Sequence, residues 1–128
     1  RDDQVIREVM PEDFYYTDAI NDEACRMIES RSKSDKEQPF FMYVAHTAPH
    51  WPLHAPKKEI EKHRGKYMKG WDELRQKRHS RLVEQNLIPP TWGCSPRDEH
   101  CPSWDEKDDK TQDWEDARMA TYAAQITS

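Results

Sequence analysis

Across 128 residues, charged side chains (35%) slightly outnumber hydrophobic ones (34%), the formal net charge is -5 and the mean hydropathy is -1.21. A chain this polar cannot bury a large core of its own, and it holds no apolar run long enough for a membrane-crossing helix. Five Trp, five Tyr and three Phe exclude simple disorder, which leaves a single domain or part of one.

Val5 to Met10 has the length and composition of a short strand. Thr17 is placed to cap a helix over Asp18 to about Ser30, with Ile20, Ala24, Met27 and Ile28 sharing one apolar face. The polar "SRSKSDKEQ" reads as a surface loop. Phe40 to Ala45 is continuous, apolar and rich in aromatic and β-branched residues, the pattern of a strand buried on both faces of a parallel sheet. Such a sheet needs neighbouring strands, and apart from Val5 to Met10 the chain offers none. The expected fold is therefore a segment of a larger α/β unit, mostly helices and loops around one buried strand.

Beyond the strand a proline-rich loop leads into a short helix around Lys57 to Arg64, and Gly65 and Gly70 bracket a turn. A longer amphipathic helix is expected from Asp72 to Gln85, with Trp71, Leu74, Arg78 and Leu82 on its inner stripe. Ile88 to about Lys110 reads as an irregular loop. The last helix is expected to start from an Asp113 cap, with Trp114, Ala117, Ala120, Thr121 and Ala124 at helical spacing and Glu115 and Asp116 in the first turn. No stop signal precedes Ser128, and Arg1 opens the chain without an initiator Met or targeting segment, so both ends read as internal to a longer chain.

Charge is unevenly distributed. Residues 57–81 carry ten Lys or Arg against four Asp or Glu, a local balance of +6, so the rest of the chain sums to -11. Residues 98–116 hold nine acids and two lysines. A basic stripe raises the question of a polyanionic partner, but no nucleic-acid fold signature accompanies it. The plainer reading is a solvated face that folds back on the acidic segment. Cys25, Cys94 and Cys101 are odd in number, which leaves at least one thiol unpaired. Cys94 and Cys101 could close a small loop in an oxidising compartment or stay free.

Chemistry concentrates in "PFFMYVAHTAPHWPLHAP", residues 39–56. His46, His50 and His54 would share a helix face at i, i+4 and i+8, but Pro49, Pro52 and Pro56 forbid that helix. No Glu lies between the histidines and no Cys or Asp ligand set adjoins them, so the spacing does not make a zinc site. A loop leaving the carboxyl end of a buried parallel strand, by contrast, is where open α/β sheets place ligands. Prolines on both sides of His50 and Trp51 restrict those side chains, as a positioned proton donor requires. On spacing alone, a functional loop and a turn in which His and Trp merely pack on each other stand level.

The same stretch, followed by "KKEIEKHRGKYMKGWDELRQKRHSRLVEQNLI", resembles the middle of the catalytic domain of the arylsulfatase family. "YYTDAINDEACRMIE" is similar to the helix that leads into the family's strand, and "ARMATYAAQITS" to a later helix. The resemblance covers roughly residues 14–92 and 113–128, and residues 1–128 would form part of one catalytic domain. It implies an alkaline-phosphatase-like α/β sandwich, hydrolysis of sulfate esters in a sulfated small molecule or glycan, a formylglycine nucleophile made from Cys or Ser, and a calcium ion. It also implies a periplasmic, secreted or lysosomal setting.

Residue by residue, only His50 carries over as catalytic, matching the family histidine before Trp that contacts the sulfate ester. His50, Trp51 and His46 are the expected substrate-binding residues, and no metal ligand is assigned. "CSPRD" at Cys94 to Asp98 echoes the family's C-x-P-x-R nucleophile signature but places Arg97 one position too early and lies after the His50 loop instead of before it. On the resemblance the nucleophile and metal-binding acids lie in the remainder of the sulfatase chain, and the isolated segment is expected to be inactive. The second function class is a non-catalytic polyanion-binding module using residues 57–81.

Overall fold

The computed structural model describes residues 10–34 and 38–128, and the strand expected from Val5 falls almost wholly outside them. Among the described residues the chain forms four α-helices and one 3₁₀ turn, and no strand.

Helix α1 (Tyr16–Ser34) begins earlier than its sequence indicates. The Ala19 N–H donates to the Tyr15 carbonyl at 3.2 Å, so Tyr15 takes the cap position and Thr17 is buried inside the first turn. The helix also continues past Ser30, taking the start of "SRSKSDKEQ" into its last turn. Arg31 then ties the helix end to the returning chain: it donates to the Gln38 carbonyl and lies 5.0 Å over the Phe40 ring. The apolar face is covered only at its start, because Met27 and Ile28 are exposed while Ile20 and Ala24 are half-buried.

Phe40 to Ala45, expected as a buried strand, is neither strand nor buried among the described residues. These residues pair with no strand among the described residues, and Phe41 and Tyr43 are 91% and 81% exposed. A strand needs partners for its N–H and C=O groups, and none lies among the described residues.

Helix α2 (Lys57–Glu61) follows Pro56, whose carbonyl accepts from the Glu59 and Ile60 N–H groups. It packs on α4 (Asp109–Thr127). Asp108, not Asp113, caps α4: its carboxylate accepts from the Thr111 N–H at 2.7 Å, and hydrogen bonding from the Thr111 side chain, then from this N–H, holds the Asp108 carboxyl below its usual range. The loop expected to run to Lys110 therefore ends two residues sooner. The buried stripe of α4 is Asp116, Ala120 and Ala124, at i, i+4 and i+8, with Gln125 beside it, while Trp114 is exposed under Arg118.

Asp116 is the latch between the two helices. Only 1% exposed, it accepts from the Gly65 N–H at 2.8 Å, the Tyr67 N–H at 2.9 Å and the Arg64 guanidinium, which also reaches Asp113. Burial, and secondarily the Asp116 charge, push the Tyr67 phenol above its ordinary 10.0. The basic segment meets the acidic one here, whereas Lys62, Lys69 and Lys77 pair with acids inside their own segment.

Helix α3 (Gly70–Glu84) starts one turn after this latch. Gly70 has φ +81°, and a Cβ there would lie 2.4 Å from the Trp104 side chain, so the 3₁₀ turn Trp104–Glu106 seats Trp104 directly on this glycine. Trp104 is buried and meets Trp71 edge-on at 5.0 Å. The inner face of α3 differs from the expected stripe at one position: Arg78 is exposed, while Arg75 and His79 are half-buried and bond Ser95 and the Trp92 carbonyl. The helix ends at Asn86, φ 56°, with the Leu87 N–H bonded to the Leu82 carbonyl and the Asn86 N–H to that of Val83. That pair of bonds is a Schellman closure.

Candidate functional site

The histidine loop is built by its prolines. A turn closes where the His50 N–H donates to the Thr47 carbonyl at 2.9 Å, and the peptide bonds before Pro49 and Pro52 are both cis. Ala55, buried, and Pro56 then lead into α2, so the loop is rooted in the element that Asp116 latches to α4.

A cleft of about 550 Å³ opens between the start of α1, this loop and the end of α4. Its volume lies in the range of small-molecule sites. His46, His50, Trp51 and His54 all line it, so the fold gathers the three histidines that extended backbone need not have brought together. Tyr15 and Gln125 line it as well. Among the described residues no group of three His, Cys, Asp or Glu side chains is placed to hold a metal ion. Cys94 is exposed in the loop after α3 and is not part of the lining, and Cys25, Cys94 and Cys101 are all free thiols.

The three histidines differ in what holds them. The His50 Nδ1–H donates to the Trp51 carbonyl at 2.5 Å. This bond keeps a proton on Nδ1 and leaves Nε2 as the nitrogen that can exchange a proton with a ligand. The main chain of Trp51, not its 66% exposed indole, orients the ring. His54 instead lies edge-on to Tyr15, 5.4 Å between centroids. His46 is exposed at the edge of the cleft.

Tyr15 and Gln125 escaped the sequence reading. Tyr15 stands just before the expected Thr17 cap and Gln125 next to Ala124; both lie in helix segments that carry the resemblance, which gives neither a role. The Tyr15 hydroxyl and the Gln125 Oε1 are buried without a hydrogen-bond partner among the described residues.

A proline-held turn bearing three imidazoles over a helical floor is the site this segment presents. The sulfatase family profile matches residues 2–128, and the chain belongs to the sulfatase family. It is 36% identical over 107 residues to an uncharacterized sulfatase of Schizosaccharomyces pombe, covering 79% of this chain and 18% of that protein. It is also 33% identical over 123 residues to an arylsulfatase of Klebsiella aerogenes, covering 95% of this chain and 25% of that one. The chain thus spans about a fifth to a quarter of the length of these curated relatives. No helix among the described residues is long and apolar enough to cross a membrane.

Proposed function

We propose that residues 1–128 are part of the catalytic domain of a sulfatase that hydrolyses sulfate esters, and that His50 is a catalytic residue of it. The observation that carries this reading is the fixed imidazole: His50 lines the cleft, is flanked by Pro49 and Pro52, and has Nδ1 tied to the Trp51 carbonyl. When the ester S–O bond breaks, the departing oxygen takes charge. Protonated His50 gives its Nε2 proton to that oxygen and becomes a neutral ring whose remaining proton stays on Nδ1, donated to the Trp51 carbonyl. Before transfer, the cationic ring also offsets the negative charge of the sulfate. His46 and Trp51 border the bound ester, a sulfated small molecule or glycan.

The described residues do not suit the family's formylglycine and calcium. Cys94 lies outside the cleft and no metal-ligating cluster is gathered. Both groups belong, on this proposal, to the remainder of the sulfatase chain, which would also supply the strands flanking Phe40–Ala45 in an alkaline-phosphatase-like sandwich. Exposure of both Phe41 and Tyr43 supports that placement, since a central strand stripped of its neighbours is uncovered. The isolated segment is then inactive, and the parent belongs in a periplasmic, secreted or lysosomal compartment.

The test is His50→Ala in the full-length protein, assayed on sulfate esters of graded leaving-group acidity. Turnover should fall by roughly 10² to 10⁴ on an alkyl sulfate and less on an ester of an acidic phenol, which needs little protonation. Near-normal turnover on the alkyl sulfate would remove the catalytic assignment.

A further inference from the structure

We infer that Tyr15 and Gln125 form a hydroxyl-recognition subsite in the floor of the cleft, reading an alcohol group on a sulfated monosaccharide or other polyol; this rests on the chain being a sulfatase segment. Two side chains from opposite ends of the described chain, one at the start of α1 and one near the end of α4, line the same 550 Å³ space as His50. Tyr15 is 8% and Gln125 6% exposed, and the phenolic oxygen of the first and Oε1 of the second have no hydrogen-bond partner among the described residues. Buried polar atoms are nearly always paired, so two orphans on one cleft mark groups whose partner arrives with a ligand.

Their chemistry selects the ligand. Oε1 only accepts, so it needs an O–H or N–H donor, while the Tyr15 O–H offers a donor to an oxygen. A carbonyl or ether satisfies only the tyrosine, and an ammonium only the glutamine. A hydroxyl satisfies both, as do two neighbouring hydroxyls on a sugar ring. A plain aryl sulfate carries no O–H or N–H donor, so it leaves Oε1 unpaired. Both oxygens are buried in the free chain, and His54, itself exposed, lies edge-on to Tyr15 in the lining of the same cleft.

The experiment compares glucose 6-sulfate with 4-nitrophenyl sulfate in the full-length protein, for wild type, Tyr15→Phe and Gln125→Met. Each variant should lower the ratio of the two kcat/KM values about tenfold against the sugar ester, the worth of one such hydrogen bond, through KM. Neither should lower Tm, because removing an unpartnered buried polar atom costs the free fold nothing. An unchanged ratio overturns the subsite, since a structural loss moves both substrates alike. A lowered Tm for Tyr15→Phe also overturns it, by showing that the hydroxyl has a partner inside the fold. If wild type turns over neither ester, calorimetric binding of glucose 6-sulfate makes the same comparison. Binding that Tyr15→Phe weakens keeps the subsite and removes only the sulfatase reading, whereas no binding by wild type overturns the subsite.

Discussion

Removing the Asp116 carboxylate strips three donors at once: the Arg64 guanidinium and the Gly65 and Tyr67 N–H groups. Hydrogen bonds to a charged group are worth about 1.5–3 kcal/mol each, so full loss would approach about 4.5–9 kcal/mol. Water recovers part of this, because Gly65 is exposed, Tyr67 is half-buried and the Arg64 side chain is 35% exposed. Asp116→Ala is therefore expected to cost about 3–4 kcal/mol, within the range for breaking a buried pair. Asp116→Asn keeps one accepting oxygen but loses the charge, and should cost about half as much. The measurement is urea unfolding of the full-length protein followed by tryptophan fluorescence, with Arg64→Ala and the double variant completing a cycle. A loss below about 1 kcal/mol for Asp116→Ala, or equal losses for Ala and Asn, would refute the account of a charged latch between α2 and α4.

Gly70→Ala places a methyl against Trp104 at a positive φ, and should destabilise by about 3 kcal/mol from overpacking and backbone strain together; unfolding midpoints read it directly. The depressed folded-state pKa of Asp108 means its contribution to α4 is present above the unfolded carboxyl's ordinary 3.8 and lost as pH falls through the folded value. Asp108→Asn should keep the cap at neutral pH and flatten that acid limb, as circular dichroism against pH would show. The raised Tyr67 phenol has the opposite sign: its contribution is complete below 10.0 and lost as pH rises through the folded value. Tyr67→Phe should therefore reduce the alkaline loss of stability in the same titration. His54→Ala, which removes a ring packed on Tyr15 and leaves the His50–Trp51 bond intact, should act on KM far more than on kcat in steady-state assays.

Among the described residues helical spacing located α1, α3 and α4, the prolines at 49, 52 and 56 and glycines at 65 and 70 set off α2, and the 3₁₀ turn at Trp104 fell in the expected loop. Spacing misjudged helix ends. It indicates only Asp113 as the start of α4, whereas Asp108, whose carboxylate reaches the Thr111 N–H, begins it one turn sooner. Arg78 entered the expected inner stripe by spacing alone. The face is set instead by Arg75 and His79, whose partners Ser95 and Trp92 lie in a loop without periodicity. His50 was legible because proline restrains it from both sides. The Tyr15 and Gln125 pair was not, because it exists only when the start of α1 and the end of α4 close on one cleft.

The two halves of the opening motif behave oppositely, and one cause explains both. Phe40–Ala45 is open because strand hydrogen bonds must come from other strands, and none lies among the described residues. The turn directly after it is held because its restraints are local or come from helices within the chain: the Thr47–His50 turn, the Nδ1 bond to Trp51, the Ala55 anchor and the Asp116 latch behind α2. A segment can thus carry a positioned imidazole while the stretch before it stays unpaired. The geometry at His50 depends on α2 and α4, and the depth of the cleft on α1 and α4. On the proposed reading, substitutions in those helices should reach the chemistry at His50, while changes at Phe41 or Tyr43 should act on pairing with strands of the longer chain.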